Sequence, residues 1–97
     1  MNKTILSAVI ASVALLAASP AFASDMPGAK IFKGKCKMCH ELDKKKVGPA
    51  VKDMNKDPAV LKQTIITGRG QMPKFGHKLS AEQIDEVVAY LQSVQGK

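Results

Sequence analysis

The sequence predicts an all-α fold of about four short helices wrapped round one covalently bound group, and three observations lead to that expectation. No stretch alternates apolar and polar residues for long enough to make a strand, while helix-period apolar patterns recur between glycines and prolines. Cys36-Lys37-Met38-Cys39-His40 sets two thiols three positions apart directly before a histidine, the pattern at which a haem is covalently attached. Beyond residue 23 the chain has only Phe32, Phe75 and Tyr90 as aromatics and only Cys36 and Cys39 as cysteines. So small a chain struggles to bury enough apolar surface, and one disulfide at most could staple it. A large flat apolar ligand would supply the missing core.

The elements follow in order. Lys3 is the only charge before Asp25, Ile5 to Ala18 is an apolar run interrupted only by Ser7 and Ser12, and Ala21-Phe22-Ala23 has the small-x-small form of a signal peptidase site. The run is short for a membrane span, which needs about 20 apolar residues. Residues 1–23 are therefore expected to be a cleaved secretory signal peptide rather than an uncleaved anchor, leaving 24–97 as one exported domain. The first helix is expected to start near Pro27, with Ser24 or Asp25 as cap, and to run into the Cys36–His40 segment. Residues 42–48 form a loop with three consecutive lysines, and Pro49 opens a short turn or helix through Met54. Asp57-Pro58 is a cap-plus-proline start for a helix that carries Val60, Leu61, Ile65 and Ile66 and stops at Gly68. Gly70, Pro73 and Gly76 break any helix across 70–77, with Met72 at the centre. The last helix has Ser80 and Gln83 in capping-box positions, Leu79 and Ile84 as a staple, and one apolar stripe of Ile84, Val87, Val88, Leu91 and Val94. Gly28 permits that helix and the first to cross closely.

On one helical turn, i and i+3 share a face. Cys36 and Cys39 can thus add to vinyl groups on one edge of a porphyrin, with His40 reaching the iron from one side. Zinc normally takes four protein ligands, and the only other histidine is His77. A dithiol oxidoreductase would need a βαβ setting that is absent from the pattern. Four residues could fill the iron's opposite side. Met38 sits within the attachment segment, on the wrong side; Met54 reads as core filler; His77 lies in an exposed Gly-His-Lys turn. Met72, in a loop bounded by glycine and proline, is the expected ligand. Met/His ligation raises the iron's potential and suits a carrier rather than a catalyst.

The formal charge is +7, and seven lysines (30, 33, 35, 37, 44, 45 and 46) lie within ten residues of Cys36. Such clustering steers association with acidic surfaces; the plainer alternative is a solvated face for solubility. Nucleic acid fits poorly, since the chain has one arginine and little aromatic interleaving.

Together these residues resemble the class I monohaem c-type cytochromes, in particular the small bacterial periplasmic ones. Residues 28–36 are similar to that family's first helix, with its glycine and aromatic ahead of the haem site. Cys36, Cys39 and His40 match the thioether and proximal-ligand positions, Gly70-Gln71-Met72-Pro73 with Phe75 matches the distal methionine loop, and Ala89-Tyr90-Leu91 the C-terminal helix. The resemblance implies a small cytochrome c fold, one haem c, and a hydrogen bond from the His40 imidazole to the carbonyl of Pro49 in Gly48-Pro49. His40 and Met72 are 32 positions apart, shorter than in most of the family, so a more exposed haem edge is expected. With no tryptophan in the chain, Arg69 and the lysines are the candidate propionate partners.

The expectation is a soluble periplasmic electron carrier, not an enzyme. It is expected to be monomeric, to dock redox proteins through their acidic patches, and to insert in no membrane once the signal is removed. A haem c subunit of a periplasmic oxidoreductase complex and a ligand-binding haem protein are the alternatives.

Overall fold

The computed structural model describes residues 25–96. The expected signal peptide, with its cleavage site after Ala23, lies outside the described residues. In order along the chain stand α1 (Pro27–Ile31), a π-helical turn (Phe32–Cys36), a 3₁₀ turn (Val51–Asp53), α2 (Pro58–Thr67) and α3 (Ala81–Gln95). Among the described residues there is no strand, only an isolated antiparallel bridge between Arg69 and Met72.

The first helix departs from expectation twice. Its cap is Met26, whose side chain makes no capping bond, and not Asp25; the expected Ser24 lies outside the described residues. Main-chain atoms close the first turn instead, Ala29 N–H donating to Met26 O at 2.9 Å. The helical path runs on into the Cys36–His40 segment as expected, but its α geometry ends at Ile31. Lys37 N–H reaches back five residues to Phe32 O at 2.9 Å, so the last turn widens into π geometry, a distortion frequent at functional sites.

The other two helices keep the signals read in the sequence. Asp57 caps α2 by accepting from Ala59 N–H at 2.9 Å, Pro58 follows, and Gly68 ends the helix at φ +74°. Ser80 Oγ accepts from Gln83 N–H at 3.1 Å while Gln83 Oε1 accepts from Ser80 N–H at 2.9 Å, closing the capping box of α3. Ile84, Val87, Val88 and Leu91 are buried and Val94 packs against them. Fully burying such a side chain is worth about 2 kcal/mol, which makes α3 the floor of the molecule.

α1 crosses α3 at Gly28. A Cβ there would overlap Glu86 O and stand 2.9 Å from Tyr90 Cβ, so only glycine allows the two backbones this close. One turn on, Phe32 meets Tyr90 with ring centroids 5.4 Å apart and planes tilted by 48°. α2 packs on α3 through Leu61 and Ile65, and a surface ion pair joins Lys62 to Asp85 at 3.0 Å; exposed pairs of this kind add about 1 kcal/mol at most.

Gly28→Ala tests the crossing by sign. Alanine favours an isolated helix over glycine by about 1 kcal/mol, whereas overpacking costs about 1–3 kcal/mol. The substitution is expected to destabilise, lowering the thermal midpoint by several degrees; a raised midpoint would mean that the helices are not in close approach.

Candidate cofactor-binding site

The π turn delivers Cys36 to the end of α1, where the chain folds into a single helical turn. Cys39 N–H and His40 N–H both donate to Cys36 O, at 3.1 and 3.0 Å. The i, i+3 relation of the two thiols therefore survives, although no long helix carries it. The lysine loop then returns under His40. Gly48 N–H donates to Cys39 O at 2.8 Å, Val51 N–H to Glu41 O at 2.8 Å and Lys52 N–H to Leu42 O at 3.2 Å. These bonds bring Pro49 beneath the imidazole.

His40 Nδ1 lies 2.9 Å from Pro49 O. A carbonyl can only accept, so Nδ1 carries the proton and Nε2 keeps a free lone pair. Gly48 makes the arrangement possible. A Cβ at that position would overlap His40 Cε1 and approach Nδ1 to 2.8 Å. One imidazole nitrogen is thus tied to the backbone and the other is left able to bind a metal, the usual way a protein orients a ligating histidine.

Across from this segment, the chain after α2 makes a tight turn. Arg69 and Met72 exchange main-chain hydrogen bonds at 3.2 and 2.9 Å around Gly70, whose φ is +58°. Phe75 N–H and Gly76 N–H donate back to Ile65 O and Ile66 O, at 2.9 and 3.2 Å. Phe75 is buried, so the loop that bears Met72 is pinned at both ends to α2.

Between the two segments runs a cleft of about 790 Å³, floored by Val87 and Leu91 of α3. Cys36, Cys39, His40, Pro49 and Met72 all line it. So do Met54 and Arg69, whereas His77 does not and is exposed. The volume falls in the range of roughly 300–1,000 Å³ usual for ligand sites. Met38, Val47 and Val60 line the same cleft while 73%, 60% and 41% exposed. Large apolar side chains left in water around an apolar trough mark a surface that a ligand covers. Paired sulfurs, an oriented imidazole and an apolar trough fit a haem attached through two thioethers. Lys35 also lines the cleft, and the other lysines near Cys36 are all exposed.

The thiols argue against the dithiol reading on their own chemistry. Burial pushes the Cys36 thiol up to about 11, and the neighbouring Cys39 sulfur adds to the shift. Exchange catalysis needs the opposite, a thiolate stabilised to about 3.5–7.5.

Gln95 is the residue that sequence reasoning missed. Its side chain is buried at the last turn of α3, and Nε2 faces Asn55 O at 3.1 Å, Val51 O at 3.4 Å and Met54 O at 3.5 Å. Its helical position beside the apolar stripe was the available signal, but a glutamine there reads as solvent-facing.

Comparison with known proteins bears on the same residues. Positions 23–91 match the family described as cytochrome c oxidase, cbb3-type, subunit III. A cytochrome c6 of Gloeothece citriformis is 36% identical, with 92% of each chain covered. A cytochrome c6 of a Synechococcus species is 33% identical, over 97% of this chain and 92% of that one. Among solved structures, cytochrome c6 of the diatom Phaeodactylum tricornutum superposes with a TM-score of 0.63 at 25% identity, over 72% of this chain and 92% of the other. A Synechococcus cytochrome c6C gives 0.61 at 26% identity, over 73% of this chain and 98% of that one.

Gly48→Ala is expected to dislodge the imidazole from Pro49 and to cut the yield of haem-loaded protein several-fold. Gly34→Ala, at a position where an added Cβ meets nothing within 4 Å, is expected to leave that yield unchanged.

Proposed function

The chain belongs to the class I monohaem c-type cytochromes and carries one covalently bound haem c, and from that premise we propose a soluble periplasmic electron carrier whose iron sits between His40 and Met72. It is an electron-transfer protein rather than an enzyme. The observation that carries the ligand assignment is the convergence of an Nδ1-tethered His40 and the pinned Met72 loop on one cleft.

When bound, the haem supplies an iron that takes up and releases one electron. The chain's own residues do the rest. Cys36 and Cys39 are the sulfurs through which the group is attached. Pro49 O holds the Nδ1 proton of His40, which leaves Nε2 as the donor atom. Met72 offers a soft thioether that favours the ferrous state and raises the potential. Val87, Leu91, Leu61, Ile65 and Phe75 exclude water from the cleft. Arg69 and Lys35, both on its walls, are the cations placed to meet propionates.

Export rests on the apolar run 5–18 and Ala21-Phe22-Ala23, with 1–23 proposed as the removed signal and 24–97 as the working, monomeric domain. Among the described residues no helix is long and apolar enough to cross a membrane. The lysines around Cys36 favour acidic patches on redox partners, in a small, fast-exchanging interface.

A second reading is favoured by one observation, the oxidase-subunit description of the matching family. In that case the lysine face would be a permanent interface. The two readings separate by purification and kinetics. A free carrier purifies alone, and its electron-transfer rate to an acidic partner falls about tenfold or more as salt is raised. A subunit co-purifies with a larger chain, and its rate is insensitive to salt.

Spectra of the oxidised and reduced protein test the ligands. Met72→Ala is expected to abolish the methionine–iron absorption band, to lower the potential within the roughly 0.8 V that axial ligands span, and to admit carbon monoxide. Met54→Ala is expected to keep the band and cost about 2 kcal/mol or more of stability through the cavity it leaves. Ready carbon monoxide binding by the reduced native protein would instead favour a ligand-binding haem protein.

A further inference from the structure

We propose that Gln95 is a positioning residue for the haem cleft, holding in place the segment that walls one side of it. Residues 49–55 form a strap. At one end Pro49 O accepts from His40, and Val51 N–H and Lys52 N–H tie the strap to Glu41 and Leu42. At the other end Met54 and Asn55 line the cleft. Asn55 Oδ1 accepts from Asp57 N–H at 2.7 Å, closing the turn into α2. Among the described residues, no main-chain N–H donates to the carbonyls of Met54 and Asn55. Their partner is the Gln95 amide, at 3.5 and 3.1 Å, which also faces Val51 O at 3.4 Å.

The chemistry fixes the orientation of that amide. Its three neighbours are carbonyl oxygens, so Nε2 must face them. Gln95 is the single buried polar residue among the described residues. A buried amide with a few fixed acceptors is costly to leave unpaired, and so are its partners. The bond also spans 40 positions of sequence, which makes it the tie between the last turn of α3 and the cleft wall. Without it, the Met54–Asn55 end of the strap loses its side-chain tie to α3 and water gains access to the group in the cleft. Burial is one of the levers on haem potential, and water favours the more highly charged ferric state.

The inference rests on haem occupying the cleft but not on Met72 being its ligand. The test compares the haem-loaded native protein with Gln95→Met, which keeps the apolar stem and removes the donors, and with Gln95→Asn, which withdraws the amide by one methylene. Ser80→Ala serves as a control that destabilises α3 at its far end. Both Gln95 variants are expected to lower the ferrous-to-ferric ratio at a fixed poise at least threefold, about 28 mV at 59 mV per tenfold for one electron. They are also expected to speed deuterium exchange at the Met54 and Asp57 amides. Ser80→Ala is expected to lower the thermal midpoint with neither effect. The proposal is overturned if the Gln95 variants lose stability like Ser80→Ala while the ratio and the exchange at 54 and 57 stay at native values. If Gln95→Met gives no holoprotein, Gln95→Asn carries both readouts. Loss of the methionine band only in Met72 variants, or its absence from the native protein, bears on the ligand assignment and leaves this comparison intact.

Discussion

Everything in this molecule is arranged from the crossing of α1 over α3 at Gly28. With no side chain between them, the backbones meet at Glu86 O, and Phe32 is set against Tyr90 one turn later. From there the chain has only one short turn before Cys36. The π geometry of residues 32–36 decides the direction in which it leaves α1. The two thiols are thus carried to the edge of a trough whose floor is α3 itself. A larger residue at position 28 would lift α1, and with it the whole attachment segment, away from Val87 and Leu91.

The apolar core of the described residues is thin for a domain that must stay folded. Val51 and Val87 are its only fully buried large side chains, while Met38, Val47 and Val60 stand in water around the cleft. Those two facts have one explanation. In the proposed reading the cleft is the middle of the core, and the covalently held haem would fill it. Stability and function then draw on the same surface, because the side chains that exclude water from the iron also bury the most apolar area.

Polar fastenings hold the rim of that trough. His40 is tied to Pro49, the Met72 turn is tied to Ile65 and Ile66, and the 49–55 strap is tied to Gln95. Each bond joins a main-chain carbonyl to a donor held by a neighbouring element: two side chains, His40 and Gln95, and the main chain at Phe75 and Gly76. A carrier benefits from walls that change little between oxidation states. Apart from Lys35, the exposed lysines near Cys36 lie outside this frame, where they can meet a partner without disturbing it.

Much of this was legible in the residues. The caps at Asp57 and Ser80, the stop at Gly68, the apolar stripe of α3 and the Cys36–His40 pattern are local signals, decided by neighbours within one or two turns, and the structure keeps them. The cap of α1 and the π turn were not legible. Main-chain bonds at Met26 and Phe32 replaced the side-chain cap and widened the last turn of the helix, and their choice depends on how α1 must leave the crossing. Gln95 was missed for a related reason, since a polar residue beside an apolar stripe looks solvent-facing until the strap is folded over it. The sequence by itself determined the helices, the attachment residues and the charge around them, because those depend on spacing and residue type. The resemblance implied the bond from His40 to Pro49, and Met72 was the expected residue opposite; the tertiary structure set both on one cleft, and it alone brought the Gln95 amide onto the carbonyls of residues 51, 54 and 55. Such pairings join positions 9 to 40 or more apart, and no local propensity encodes them.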